Sequence, residues 1–309
     1  MTTPILIDCD PGHDDAIALL LALASPEVEL IGVTTVSGNQ TLEKTTTNAL
    51  RVLELVGRDD VPVSAGADRP LKRDLFVAAY VHGESGLEGP ELPPARGQPI
   101  SDDAPDFIAE RVSVSSEPVT LVPTGPLTNV ATFLERHQDA AQELERIVLM
   151  GGAIAEGNVT PAAEFNIWAD PEAAATVFRS GVDVTMIGLD VTHKALMTPA
   201  HGQRLREAGR TGTFVAELLE FYSRFHREVY NFPGSPIHDA VAVAHVLDPG
   251  LVETKRRNVE IELESELCRG RTVVDLWGRT EREPNAHVAV GIDSERFLEL
   301  VLGRLATFP

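Results

Sequence analysis

The 309-residue chain has only two cysteines, Cys9 and Cys268, and few basic residues relative to its acidic ones. Two cysteines provide neither a disulfide framework nor the spacing of a zinc site. The chain has 26 Lys and Arg against 47 Asp and Glu, a net charge of −21, which leaves no basic patch for nucleic acid. The longest basic cluster, Lys255-Arg256-Arg257, is followed by several glutamates, and we interpret it as a solvated stretch.

Long hydrophobic runs are also missing. The apolar run at 16–24 is too short to span a bilayer. The sequence starts on a strand-like segment without a basic and hydrophobic leader, so we expect a cytoplasmic protein without a membrane partner. With 43% apolar residues, no repeat and no linker-like composition, we expect one domain over residues 1–309.

Apolar segments of strand length alternate with helical patterns, which is typical of a mostly parallel α/β sheet covered by helices on both faces. The predicted strands are 4–8, 28–36, 61–65, 119–123, 146–150 and 184–189. The predicted helices are 14–24, 41–57, 104–114, 126–136, 171–180, 199–208, 212–229, 239–247 and 294–305. Asp170 and Thr198 each precede a proline, which marks two of these helix starts.

Near the C-terminus the pattern changes to a period of two. Residues 259–264 and 272–276 alternate between apolar and polar side chains, so we expect antiparallel or edge strands exposed on one side.

Four aspartates, Asp8, Asp10, Asp14 and Asp15, lie where the first strand gives way to an apolar helix. Two carboxylates about 5 Å apart repel by roughly 3 kcal/mol at an effective dielectric near 20. Such a cluster stays ionised only if a cation neutralises it, and oxygen ligands suit Ca²⁺ or Mg²⁺. Asp14 or Asp15 alone would also serve as an ordinary helix cap. A cap does not explain Asp8 and Asp10, so a metal site is the better interpretation.

Further polar and glycine residues follow the other predicted strands. They occur at 37–39, 124–129, 150–152 and 188–190. Ligands of open parallel sheets bind beyond the carboxyl ends of the strands, so these segments predict one site along that edge. Three more segments set polar side chains among apolar ones and are candidates for the same site: 156–158, 163–168 and His238-Asp239.

Together these residues resemble the inosine–uridine-preferring nucleoside hydrolase family across essentially the whole chain. The opening segment, residues 8–16 (DCDPGHDDA), looks like the family signature. The supporting segments appear in the family's order, at 37–40, 125–129, 150–152, 163–166 and 238–239. The resemblance implies an N-glycosidase that hydrolyses ribonucleosides to a free base and ribose.

The resemblance also implies one Ca²⁺ per chain. Its side-chain ligands would be Asp10, Asp15 and Asp239, and Thr124 would contribute its backbone carbonyl. Asp10 would in addition accept the proton of a calcium-bound water.

The ribose contacts are implied in the same way. Asp14 and Asn166 would hold the 2′- and 3′-hydroxyls, and Asn39 would assist beside the sugar. The 5′-hydroxyl and the sugar ring would meet three further residues: Asn158, Glu164 and Met150.

Five residues match positions around the leaving base. His82 and His238 would face it, with His238 as the candidate proton donor, since the ordinary histidine pKa lies close to neutrality. Its mobile wall would contain Tyr222, His226 and Tyr230.

Rival functions stay open at this stage. A Mg²⁺-dependent phosphohydrolase would also use Asp-x-Asp after a first strand, but no Lys or Arg lies near the strand ends to bind phosphate. A third possibility is a non-catalytic nucleoside- or sugar-binding protein. The presence of both His82 and His238 favours pyrimidine nucleosides, with an inosine- or purine-preferring hydrolase as the alternative. The resemblance further implies a homo-oligomer, a tetramer or a dimer.

Overall fold

An eight-stranded sheet forms the centre of the structure, a computed structural model that describes residues 2–308. The strands in chain order are β1 (Thr3–Cys9), β2 (Val28–Thr35), β3 (Val63–Ala65), β4 (Val119–Pro123), β5 (Leu144–Met150), β6 (Val184–Ile187), β7 (Leu196–Met197), β8 (Ser235–Pro236), β9 (Val252–Arg257), β10 (Val259–Ile261), β11 (Thr272–Val274) and β12 (Ala286–Ile292). The order across the sheet is β3-β2-β1-β4-β5-β6-β12-β9. All neighbours pair in parallel except β12 and β9, which are antiparallel. The predicted fold class is therefore confirmed.

Helices cover both faces of this sheet. They are α1 (His13–Leu23), α2 (Leu42–Leu55), α3 (Ala79–His82), α4 (Ala104–Val114), α5 (Thr128–Arg136), α6 (Gln138–Gln142), α7 (Phe165–Ala169), α8 (Pro171–Arg179), α9 (Leu189–Thr192), α10 (Pro199–Arg206), α11 (Arg210–Tyr230), α12 (His238–Leu247) and α13 (Ser294–Leu305). Within residues 2–308, no helix is both long and apolar enough to cross a bilayer.

The strands alternate their side chains between two cores. In β1, Ile5 and Ile7 enter the core beneath α1, α12 and α13, while Leu6 enters the core beneath α4, α5 and α8. All three side chains are fully buried. Because both faces are covered, the strands read as continuous apolar runs. These runs are the signal by which the sequence located them.

The predicted strands before residue 190 and all nine predicted helices are present, with ends within one or two residues. At the helix start before Pro171, Asp170 accepts a hydrogen bond from the Ala173 backbone N–H. The short helices α3, α6, α7 and α9 were not predicted, since segments of four or five residues carry little periodicity.

The predicted C-terminal segments are antiparallel strands, as expected. Segments 259–264 and 272–276 pair over β10 and β11, in a separate two-stranded sheet. The strands that extend the main sheet, β12 and β9, were not predicted. The cluster Lys255-Arg256-Arg257, interpreted as a solvated stretch, lies in edge strand β9. An edge strand exposes one side to water and tolerates charged residues. The charged composition of β9 therefore resembled that of a loop.

Candidate active site

The chain reverses its direction of progress across the sheet between β1 and β4. Strands β1 to β3 extend one way and β4 to β6 the other, so β1 and β4 are neighbours at a topological switch point. Their carboxyl ends leave a crevice there, the usual binding place in such sheets. Asp10 follows β1 and Thr124 follows β4, which places both in this crevice.

Three carboxylates meet at the crevice. Asp14 and Asp15 lie in the first turn of α1, and Asp239 lies in the first turn of α12, which packs against α1. One oxygen from each lies within 4.8 Å of the others, and all three side chains are buried. Asp15 also accepts a hydrogen bond from the Gly12 backbone N–H at 3.0 Å, so it closes the helix start as well.

Asp10 adjoins this cluster through Asn39. The Asn39 backbone N–H donates to Asp10 Oδ2 at 2.6 Å, and its side-chain amide donates to Asp15 Oδ2 at 3.0 Å. The second oxygen of Asp10, Oδ1, is buried and has no hydrogen-bond partner among residues 2–308. A buried anionic oxygen without a donor is costly unless a cation meets it.

The electrostatics of the cluster lead to the same requirement. Burial, followed by the charge of Asp15, raises the pKa of Asp10 well above its ordinary value. Burial and the neighbouring Asp14 and Asp15 do the same to the pKa of Asp239. Burial and Asp15 raise the pKa of Asp14 to about 8. Ionising the group at neutral pH therefore calls for a positive charge at its centre.

An oxygen-ligating cation fits these residues. The donors are carboxylate oxygens, which hard divalent cations prefer over the nitrogen and sulfur ligands of zinc. Thr124 belongs to the same group, because its hydroxyl donates to Asp15 Oδ1 at 2.8 Å. The predicted ligands therefore converge, although the tightest trio contains Asp14 in place of Asp10.

The residues predicted to hold the sugar surround the same crevice. The side-chain amide of Asn166 donates to the Thr124 carbonyl at 2.7 Å and to the Met150 carbonyl at 3.1 Å. Glu164 accepts from the backbone N–H groups of Gly152 and Asn166. Its burial raises its pKa to about 7. The amide oxygen of Asn158 accepts from the Phe165 N–H at 2.9 Å, which fixes this side chain against α7.

Aromatic side chains form the rest of the pocket. Its lining contains all five predicted base-facing residues, His82, Tyr222, His226, Tyr230 and His238. Nδ1 of His238 lies 2.7 Å from the Thr192 hydroxyl, which orients the ring. Burial, followed by nearby histidines, lowers the pKa of His238 well below its ordinary value. The ordinary histidine pKa, from which the proton-donor role was argued, therefore does not apply to His238 in the free protein.

Two residues lacked a predicted role, and Asp8, which the sequence assigned to the metal cluster, has a different one. His13 lies inside the signature and contacts His82, with Nδ1 atoms 3.1 Å apart. His193, directly after α9, lines the pocket and contacts Glu156. Asp8, part of the acidic cluster, instead binds the Thr34 hydroxyl at 2.6 Å and the Asn129 amide, behind the site. His13 and His193 could have been found by their place at strand ends, but sequence does not indicate which histidines face inward.

A sequence model described as "Inosine-uridine preferring nucleoside hydrolase" matches residues 5–299. The chain belongs to this family. It is therefore an N-glycosidase, and the resemblance carried by the signature is confirmed. Two curated members named "Pyrimidine-specific ribonucleoside hydrolase RihA" are similar over its whole length. The protein from Shewanella sp. (strain ANA-3) is 51% identical, covering 100% of this chain and 98% of the relative. That from Citrobacter koseri is 50% identical, covering 100% and 99%.

Solved structures of nucleoside hydrolases share the fold. A purine-preferring ribonucleoside hydrolase from Gardnerella vaginalis superposes with a TM-score of 0.93 at 37% identity, covering 98% of each chain. The fold of this chain is thus shared with a family member named for purines.

Proposed function

We propose that this nucleoside hydrolase is a calcium-dependent enzyme that hydrolyses the N-glycosidic bond of pyrimidine ribonucleosides to free base and ribose. The observation that carries the proposal is the buried oxygen cluster of Asp10, Asp14, Asp15 and Asp239 beside a pocket lined by histidines. N-glycoside hydrolysis needs an activated water, a stabilised cationic sugar and help for the departing base.

The carboxylates supply the first two requirements. Asp10 accepts the proton of the attacking water, and its unpartnered Oδ1 is the oxygen available for this step and for the metal. When bound, Ca²⁺ would lower the pKa of a water molecule and orient the sugar diol. Asp10, Asp15, Asp239 and the Thr124 carbonyl would hold it. The clustered anions also favour the positive charge that develops on the ribose.

The ribose is oriented by residues on the same rim. Asp14 and Asn166 take the 2′- and 3′-hydroxyls, and Asn39 assists next to them. Asn158 and Glu164 take the 5′-hydroxyl, while Met150 packs against the sugar. Asn166 suits this role because its amide is already held by the carbonyls of Thr124 and Met150, which leaves its oxygen for the substrate.

His238 is proposed as the proton donor to the leaving base. In the free protein its ring is neutral, because burial lowers its pKa. Negative charge on a departing base raises that pKa again, since an opposite charge favours the protonated form. Tyr222, His226, Tyr230 and His82 complete the wall of the base compartment.

The pyrimidine preference is supported by the names of the relatives. Those at 50–51% identity are called pyrimidine-specific, whereas the purine-preferring structure is 37% identical. A purine- or inosine-preferring enzyme of the same family is the second candidate, because that structure has the same fold. A Mg²⁺ phosphohydrolase is disfavoured, since no Lys or Arg lines the pocket in the part of the chain described.

We also propose that the enzyme works in the cytoplasm as a homo-oligomer, a tetramer or a dimer, as the family resemblance implies. Light scattering coupled to gel filtration measures the oligomeric state directly, and a monomeric mass would contradict the proposal.

The function is tested with purified enzyme and calcium on uridine, cytidine, inosine and adenosine. We expect uridine and cytidine to have the highest kcat/KM, with ribose and free base released in equal amounts. A purine optimum would transfer the assignment to the second candidate. Binding without release of reducing sugar would identify a binding protein instead.

A matched set of uridine analogues tests the sugar contacts. 2′-Deoxyuridine lacks one hydroxyl and leaves Asp14 unpaired, and sites built around a hydroxyl reject its absence by about 10⁴–10⁵-fold. Uridine 5′-monophosphate should be excluded by Glu164 and the acidic rim. Comparable kcat/KM on the deoxynucleoside would refute the diol contacts, and preference for the monophosphate would overturn the assignment to nucleosides.

A further inference from the structure

The base compartment is lined without lysine or arginine in the part of the chain that the structure describes. Two of its histidines are uncharged at neutral pH. Burial lowers the pKa of His226 to about 4 and that of His82 well below its ordinary value, because a buried imidazole loses the hydration of its charged form. A positively charged nucleobase would therefore meet no repulsion from these side chains.

One carboxylate lies beside this compartment and has no part in the proposed reaction. Glu156 contacts Nδ1 of His193, a residue that follows α9 and lines the pocket. A carboxylate next to an imidazole gives the pair a charge of −1 when the imidazole is neutral and zero when it is protonated. The pair therefore adds no net positive charge to the compartment.

His193 places this carboxylate next to the wall of the compartment. The ring centroid of His193 lies 5.7 Å from that of Tyr230 and 5.5 Å from that of His238. Burial, followed by Tyr80 and the charge of Glu156, raises the pKa of Tyr230. The negative charge of Glu156 thus reaches a ring against which a bound base would lie.

Aromatic rings surround the same space. The pocket is lined by four rings with negative π faces: Phe165, Tyr222, Phe225 and Tyr230. A π face attracts a cation that lies within about 6 Å of the ring centroid. A nucleobase that stacks in this compartment gains that attraction only when it carries a positive charge.

The sugar end of the pocket is acidic as well. Four buried carboxylates surround the proposed calcium site, which would hold only two positive charges: Asp10, Asp14, Asp15 and Asp239. Glu164 lines the same pocket. Clefts lined by charge of one sign concentrate ligands of the opposite sign, so this pocket favours a cationic nucleoside.

We propose that the base compartment accepts positively charged nucleobases, with Glu156 as the carboxylate that faces the charge, and that N3-alkylated cytidines are a further class of substrate. This inference rests on the proposed function and extends its substrate class. The simplest member is 3-methylcytidine, which is a cation at neutral pH because its N3 bears a methyl group in place of a lone pair.

The reaction is the same hydrolysis with one proton transfer fewer. The oxygen of water forms a bond to C1′, and its proton goes to Asp10. The bond between C1′ and N1 of the base breaks, and its electron pair stays on N1. This pair cancels the positive charge of the base, so neutral 3-methylcytosine leaves without a proton from His238. A leaving group of this kind needs no general acid.

Kinetics on four nucleosides at pH 7 separate the charge from the methyl group. Cytidine is compared with 3-methylcytidine, and uridine with 3-methyluridine, which gains the same methyl group but stays neutral. We expect N3 methylation to be at least about tenfold more favourable to kcat/KM in the cytidine pair than in the uridine pair. Equal factors in the two pairs would overturn the proposal, and so would complete rejection of both methylated nucleosides.

Glu156→Gln assigns this advantage to the protein, because the intrinsic reactivity of each nucleoside is the same with every variant. The amide oxygen can still accept from His193, but the charge is gone. We expect the advantage of 3-methylcytidine to fall about threefold, which is typical of a partly exposed charge. An advantage that Glu156→Gln leaves unchanged would overturn the proposal.

Glu117→Gln is the matched control. Glu117 is exposed in the loop before β4, at the opposite edge of the sheet, so its loss removes the same charge far from the pocket. This variant should keep the wild-type kcat/KM on all four nucleosides. The unmethylated pair checks the proposed function in the same assay. Absence of turnover on cytidine and uridine would refute that function, whereas turnover of both with equal methylation factors would refute this inference alone.

Discussion

At the scale of single residues, the two oxygens of Asp10 have different surroundings. Oδ2 accepts a hydrogen bond from the Asn39 backbone, while Oδ1 is buried without a partner among the described residues. Such an oxygen contributes nothing to folding and raises the free energy of the metal-free protein. An unpartnered Oδ1 is explained if this oxygen binds the metal and the attacking water.

The substitution Asp10→Asn tests metal binding and proton acceptance by Asp10 without disturbing the fold. The amide oxygen can still accept from Asn39, and removing an anion from a buried anionic group relieves repulsion. We therefore expect a folded protein with an unchanged or higher Tm in chelator, weaker calcium binding and kcat reduced by at least about 10²-fold. Calorimetric titration and uridine kinetics measure these effects, with exposed Asp60→Asn as the control. Full activity in Asp10→Asn would contradict the role of Asp10.

At the scale of elements, the loops after β2 and β4 bring backbone close to Asp10. A Cβ on Gly38 would collide with Oδ2 of Asp10, and one on Gly125 would lie 2.7 Å from Oδ1. Neither glycine has a positive φ, so conformational freedom does not explain them. They are explained by the close approach of two strand-end loops to one carboxylate.

Gly38→Ala should therefore displace the Asp10 carboxylate, with kcat/KM for uridine falling by about 10²-fold or more, in line with small misplacements of catalytic groups. Gly303→Ala in α13 is the matched control, since a Cβ there meets nothing within 4 Å. It should keep full activity and gain about 0.5–1 kcal/mol in the free energy of unfolding, because alanine suits a helix interior better than glycine. Thermal melts and kinetics of both variants provide the comparison. Equal kcat/KM for Gly38→Ala and Gly303→Ala would show that the loop after β2 moves to accommodate the methyl group without displacing Asp10.

At the scale of the whole molecule, buried carboxylates link stability to pH. In the metal-free protein, burial raises the pKa of Asp8 and Glu164 to about 7, from ordinary values of 3.8 and 4.5. Burial and Asp15 raise that of Asp14 to about 8. Between the unfolded and folded pKa values, the folded state holds protons that the unfolded state has lost. This stabilisation is complete below about pH 4 and is lost as pH rises to about 8.

Calcium at the proposed site would reverse part of this trend, because it would bind the ionised carboxylates and release their protons. We expect the increase in Tm on adding calcium to be larger at about pH 8 than at about pH 6. Titration calorimetry in buffers of different ionisation enthalpy should show proton release near pH 7. Asp10→Asn is the control and should show a smaller calcium effect at both pH values. A calcium effect independent of pH would contradict an ionised oxygen cage.

The sequence by itself determined the elements that are continuous along the chain. Continuous apolar runs located the strands buried on both faces, and helical periodicity located the longer helices, whose core-facing side must be apolar over many residues. The signature around Asp10 and Asp15 indicated metal chemistry, since strand end and helix start are adjacent in sequence and place those carboxylates together in any fold. Strand β9 escaped prediction because charge on an edge strand resembles a loop. Strand β12 is an interior, largely apolar strand that was not predicted.

Only the tertiary structure decided what lies across from each signature residue. The packing of α12 on α1 brings Asp239 to Asp14, and α3 brings His82 to His13. It also determined acidity, because burial lowers the pKa of His238 well below its ordinary value. The physical reason is that sequence records which groups are present, while pKa, tautomer and hydrogen-bond polarity depend on the desolvated neighbours that folding supplies.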